Sequence, residues 1–197
     1  ELYYALDALP AEEHLFSLIA YHGAPTVSGL KPATMLCFGN GRKALLDAWR
    51  ARGASVCAEL GLACTELRGG ETGINVLLYK AEALLGALEE PEATALLREQ
   101  GYDVPASLER YLERLSFRFA DACPHEVGVF LGIPAEDVRG FMRHGGMNCH
   151  FCSYWKVYHE PEAARERFAR FDEARRAVGQ AILAGRLCAP WAERASA

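Results

Sequence analysis

The run Ile74-Asn75-Val76-Leu77-Leu78-Tyr79 limits the possible folds of this chain more than any other feature. It follows a tight turn, Arg68-Gly69-Gly70-Glu71-Thr72-Gly73, and is almost continuously apolar. Such a segment suits a central strand covered on both faces. Two further β-prone runs of strand length lie nearby, at residues 33–38 and 62–67. Covering layers must come from the helical patterns around them. Residues 2–21 read as an amphipathic helix with Pro10-Ala11-Glu12-Glu13 at an entrance and Leu15, Leu18 and Ile19 near one face. His22-Gly23-Ala24-Pro25-Thr26 is expected to end it in a turn. Residues 42–49 form a strong helix, residues 80–88 and 92–100 form two more separated at Pro91, and Ser107 caps another through Phe119. Residues 160–183 carry the stripe Phe168, Phe171, Val178 and Ile182 on a charged helix. The expected fold is α+β (or α/β), with a small mixed central sheet flanked by helices. Its C-terminal helical half contains a helix-turn-helix-like pair. The 197 residues are expected to form a single domain, in which 1–119 supply the N-terminal helix and α/β part and 120–185 the remainder.

The chemistry is concentrated in residues 123–158, CPHEVGVFLGIPAEDVRGFMRHGGMNCHFCSYWKVY. Cys123-Pro124-His125-Glu126 has the look of a helix entrance, with Pro at the first helical position and Glu completing a capping pattern. A thiol there is expected to have its thiolate favoured by free N–H groups and the helix dipole. Cys123, His125 and Glu126 are therefore the candidate catalytic set: nucleophile, base and orienting carboxylate. The plainer reading makes Cys123 a packed small hydrophobe and Glu126 a cap. Gly128, Gly132, Ile133, Val138 and Phe141 have the periodicity of two helices across a tight turn. Acids in the first turn of the second helix, and a net charge of -5 without a basic stripe, favour a structural hairpin over a DNA reader. That helix ends at His144-Gly145-Gly146, where Gly supplies the left-handed cap.

Cys149-His150-Phe151-Cys152 then offers two thiols at metal-binding spacing, with His144 and His159 as further candidate ligands. A second Cys-x-x-Cys is lacking, so inert thiols are the plainer reading. Residues 153–158 read as a strand with alternating faces. Trp155, Lys156 and Tyr158 are candidate cofactor contacts, and a solvated edge lysine is the commoner role for Lys156. His22 and Lys31 complete the cofactor-binding candidates, since the Lys31 ammonium can hold a carboxylate or phosphate. The loop FGNGRK at 38–43 lacks the spacing of a phosphate-cradling loop.

At these residues the chain resembles a known family. CPHEVGVFLGIP, EDVRGF and YWKVY resemble the signature of domain of unknown function family 3793, small proteins of anaerobic bacteria. HGAPTVSGLKPATML, residues 22–36, is a second matching segment. With the apolar run around residues 75–79, the resemblance extends from about residue 22 to about residue 170. Gly132-Ile133 and Ser153-Tyr154 depart from the Gly-Tyr expected at those places. The family brings no settled activity; it implies an association with iron and flavodoxin-type functions.

Seven cysteines without a framework point to a reducing, cytoplasmic setting. The opening residues do not read as a signal peptide, and no apolar run approaches the roughly 20 residues of a membrane helix. Cys37, Cys57, Cys64 and Cys188 read as packing residues, and the tail with Cys188 and Trp191 as loosely held. The leading functional expectation is a metal- or cofactor-binding protein of anaerobic redox metabolism, with a small molecule or metal as partner. Thiolate and imidazole ligands favour iron or haem and allow zinc. The alternatives are a cofactor-free thiol enzyme using Cys123 and a helix-turn-helix regulator. Membrane and nucleic-acid partners are disfavoured.

Overall fold

A computed structural model describes residues 2–39, 41–120 and 122–187. Asn40, Cys188 and Trp191, named above, lie outside these residues. In chain order the elements are α1 (Leu2–Asp7), α2 (Ala11–Val27), β1 (Ala33–Gly39), α3 (Lys43–Glu59), β2 (Ala63–Gly69) and β3 (Gly73–Tyr79). Then follow α4 (Ala81–Glu89), α5 (Pro91–Glu99), α6 (Leu108–Phe119), α7 (Val127–Phe130), α8 (Ala135–His144), β4 (Phe151–Cys152), β5 (Lys156–Val157) and α9 (Pro161–Leu183). The fold is α+β.

β3 takes the central place its sequence demanded: the sheet order is β1-β3-β2, and both pairings are antiparallel. The expected mixed sheet is corrected here. α3 carries the chain back parallel to β1, but one strand position away, and the 69–73 turn folds β3 into the gap. Every neighbouring pair is therefore antiparallel. Ile74, Val76 and Leu78 face one core with Leu15, Ile19, Trp49 and Val56 of α2 and α3. Leu77 and Tyr79 face another, with Leu84, Leu96, Leu115 and Phe130 of the later helices. This alternation puts apolar side chains into both layers, which is why the run reads as apolar throughout.

Several boundaries differ from the sequence reading. Pro10 divides residues 2–21 into two helices, consistent with its missing N–H. α2 does not stop at His22; it continues through Pro25 to Val27. A proline so near a helix end removes one hydrogen bond, and its carbonyl accepts instead from the N–H groups of Leu30 and Lys31, at 2.8 and 3.3 Å. Ser107 caps α6 as expected, its hydroxyl accepting from Arg110 N at 3.5 Å. The 153–158 segment is not a strand of the main sheet. β4 and β5 pair only with each other, in register Phe151↔Val157 and Cys152↔Lys156. Their aromatics join Phe168 and Phe171 of α9 in a third, smaller apolar cluster. Cys57 is buried and Cys64 half-buried, but Cys37 is exposed, so the packing role expected of Cys37 is not met. None of the described helices is long and apolar enough to cross a membrane.

Candidate functional site

The site begins with Asp137, in the first turn of α8. Its carboxylate is buried and accepts three hydrogen bonds: Trp155 Nε1 at 2.7 Å, Tyr158 N at 2.7 Å and His159 N at 2.8 Å. These bonds clamp the β4–β5 segment against α8. Glycines allow close approach on both sides of α8, Gly140 toward Tyr158 and Gly128 of α7 toward Val138. A Cβ on Gly140 would lie 2.5 Å from Tyr158 Cγ, and one on Gly128 would lie 2.6 Å from Val138 Cγ2. α8 closes on Gly145 at φ 55°, the left-handed cap read from the sequence.

The clamp leaves a largely apolar cavity of about 300 Å³ between the 123–133 segment, α8 and the β4–β5 turn. Cys123, His125, Phe141, Cys152, Trp155 and Lys156 contribute to its lining. The His125 ring meets Phe141 edge-on, with centroids 5.1 Å apart. Lys156 Nζ lies 5.7 Å from the Phe141 centroid and donates to Gly146 O at 2.6 Å. The ammonium is thus fixed over an aromatic face, not left on a solvated edge.

Other candidates occupy different surroundings. α7 starts at Val127, so Cys123 and His125 precede a single helical turn and do not open a long helix. Burial raises the Cys123 thiol pKa, and the Glu126 charge raises it further, opposite to the expected activation. Glu126 turns into the core: it is 1% exposed, ion-paired with Arg118, and accepts from the Tyr102 hydroxyl at 3.3 Å. It therefore does not orient His125. His144 stacks on Tyr158 with centroids 5.7 Å apart. The Tyr158 hydroxyl is buried without a hydrogen-bond partner among the described residues; desolvation raises its pKa, followed by the influence of Cys149, Asp137 and Cys152. His159 is exposed and engages Asp137 through its backbone. Among the described residues no group of three or more His, Cys, Asp or Glu side chains is placed to share a metal ion. His144, Cys149, Cys152 and His159 accordingly do not gather as one ligand set.

His22 and Lys31 belong to a second grouping, with Arg175 of α9. Tyr154 adjoins both groupings: it lines the cavity, and its ring lies 4.8 Å from Arg175 Cζ. Sequence reasoning missed Asp137 as a clamp and Arg175 altogether. Arg175 did leave a signal, because it sits four residues after Phe171 and three before Val178, on the apolar stripe of α9. A charged residue in that register is conspicuous.

Fold and site define an α+β protein with an apolar cavity rimmed by thiols, an imidazole and an ammonium. The chain belongs to the family described as protein of unknown function (DUF3793), whose model matches residues 19–189. Both groupings lie inside that span. No curated protein matches the chain. No solved structure matches it either.

Proposed function

We propose that this protein binds a small, mainly apolar cofactor or metabolite in the cavity beside α8. One observation carries the reading: Cys123 and His125, some 30 residues before Cys152, Trp155 and Lys156, line the same apolar space with them. Such a pocket, with a few polar groups converging on it, is the usual form of a small-molecule site. Phe141 and Trp155 offer flat faces, Lys156 offers a cation, and the two thiols and the imidazole are soft donors. Cys123, Cys152 and His125 would each touch such a ligand singly, since among the described residues no three such side chains are placed to share one metal ion. A thiol enzyme draws less support, because the Cys123 pKa is raised and Glu126 is engaged in the core. A DNA-reading helix draws less still: Asp137 is buried beneath Trp155, and Arg139 is paired with Glu99.

Protein purified without oxygen is expected to carry a bound small molecule or metal, detected by native mass spectrometry, metal analysis and an absorption spectrum. Titration with 1-anilinonaphthalene-8-sulfonate should then show one saturable site once any resident ligand is removed. Cys152→Trp, at an exposed position on the rim, should abolish that site while changing stability by less than about 0.5 kcal/mol. Colourless, metal-free, ligand-free protein with no saturable dye site would overturn the reading. So would unchanged dye binding in the tryptophan variant.

A further inference from the structure

On the other side of Tyr154 from the cavity, α2 and α9 bring Lys31 and Arg175 into one cluster with His22. His22 lies on α2, Lys31 follows that helix, and Arg175 lies on α9. Lys31 Nζ sits 5.9 Å from the Phe171 ring centroid. Arg175 Cζ sits 4.8 Å from the centroid of Tyr154 and 6.0 Å from that of Tyr21. Arg175 Nε is buried with no hydrogen-bond partner among the described residues. Among the described residues, neither cation is joined to an Asp or Glu by an ion pair. The nearby acid Asp172 is exposed and accepts the Tyr154 hydroxyl at 2.8 Å.

A cation withdrawn from water without a partner is costly, and a second within Coulombic reach adds to the cost. Both effects register in the ionisation of the cluster. Lys31 is lowered to about 8 by burial and then by Arg175; His22 is lowered to about 4 by the same two causes in the same order. The arginine faces two tyrosine rings, yet its Nε–H remains unused. A guanidinium edge suits two oxygens of one anion, and an ammonium supplies a point charge beside it.

We propose that Lys31 and Arg175, with His22 beside them, form a binding site for a small oxyanion or for the phosphate or carboxylate group of a larger ligand. The arginine fork grips two oxygens, and the lysine neutralises the remaining charge. His22, neutral at physiological pH, can donate one ring N–H. This site stands apart from the cavity and does not depend on what the cavity holds.

Heat unfolding of the full chain at pH 7 tests it, with phosphate and acetate each compared against chloride at matched ionic strength. Wild-type protein should show a saturable rise in Tm with phosphate, with acetate, or with both; the pattern distinguishes the two chemistries. Lys31→Met and Arg175→Gln should weaken that response about tenfold or more, as expected when a charged hydrogen bond is lost. In chloride alone Lys31→Met should melt no lower than wild type, because it removes a repelling charge. A merely structural lysine would instead leave its variant less stable. The His22 imidazole, followed by NMR in the full chain, should titrate at higher pH when phosphate or acetate is bound. Wild-type responses no larger than chloride gives, or a full response kept by Lys31→Met, would overturn the site. Should Arg175→Gln fail to fold, the Lys31 variant and the His22 titration still decide it.

Discussion

At the scale of single residues, Asp137 carries more of this structure than any nucleophile candidate. One carboxylate accepts from an indole and from two backbone N–H groups, all belonging to residues 155–159. Asp137→Ala would leave those donors unmatched and is expected to cost about 3 kcal/mol in urea unfolding. Asp137→Asn retains one acceptor oxygen and should lose less; Trp155 emission shifting to the red would report release of the clamp. From sequence, Asp137 is only the last acid in Ala135-Glu136-Asp137, suited to a helix N-terminus. Nothing local distinguishes it from Glu136, which remains exposed while Asp137 is buried. The core partners of Glu126 are hidden from the sequence for the same reason. Its partners, Arg118 and Tyr102, lie 8 and 24 residues away, and no local pattern joins them.

At the scale of elements, the α7–α8 pair is where sequence pattern and packing agree best. The spacing of Gly128, Ile133 and Val138 indicated two helices meeting across a turn, and Val138 indeed lies where a Gly128 side chain would project. Gly128→Ala should therefore destabilise the protein by about 1–3 kcal/mol through overpacking. The double variant Gly128→Ala/Val138→Ala should be less damaged than the two single losses added together, by about 1 kcal/mol. Full additivity in a double-mutant cycle would show that the two positions do not meet. The 153–158 segment shows the opposite outcome. Its alternation reads as a strand, but a period of two does not say which partner accepts it. The clamp on Asp137 and the aromatics of α9 hold it on its own.

For the whole molecule, the packing of α9 on α2 bears on how stability responds to acid. His22 lies on α2 with Arg175 of α9 near it, and Lys31, Tyr21, Tyr154 and Asp172 belong to the same cluster. Its pKa is about 4 when folded and near 6.5 when exposed to water. Between those values the unfolded chain takes up a proton that the native protein refuses, so stability falls as pH drops from 6.5 to 4. Above 6.5 the contribution is fully present. The drop should be smaller in His22→Gln, as measured by urea midpoints across that window; an equal drop in both proteins would remove His22 as its source. Lys31 behaves alike at higher pH. Its share is fully present above 10.5 and lost as pH falls to about 8.

Several elements are legible from local sequence alone: β3 as a strand covered on both sides, the Pro91 break, the Ser107 cap and the glycine end of α8. These follow from short-range periodicity and backbone preference, and a few neighbouring residues suffice to express them. The sequence also determined which residues were chemically unusual, including all five that came to line one cavity. Their grouping came from long-range packing. That packing placed β3 between two strands that precede it, turned Glu126 inward, and set Arg175 beside His22 and Lys31 instead of Cys123. Burial of a charged group depends on partners from remote segments, and a linear sequence does not state where those segments meet.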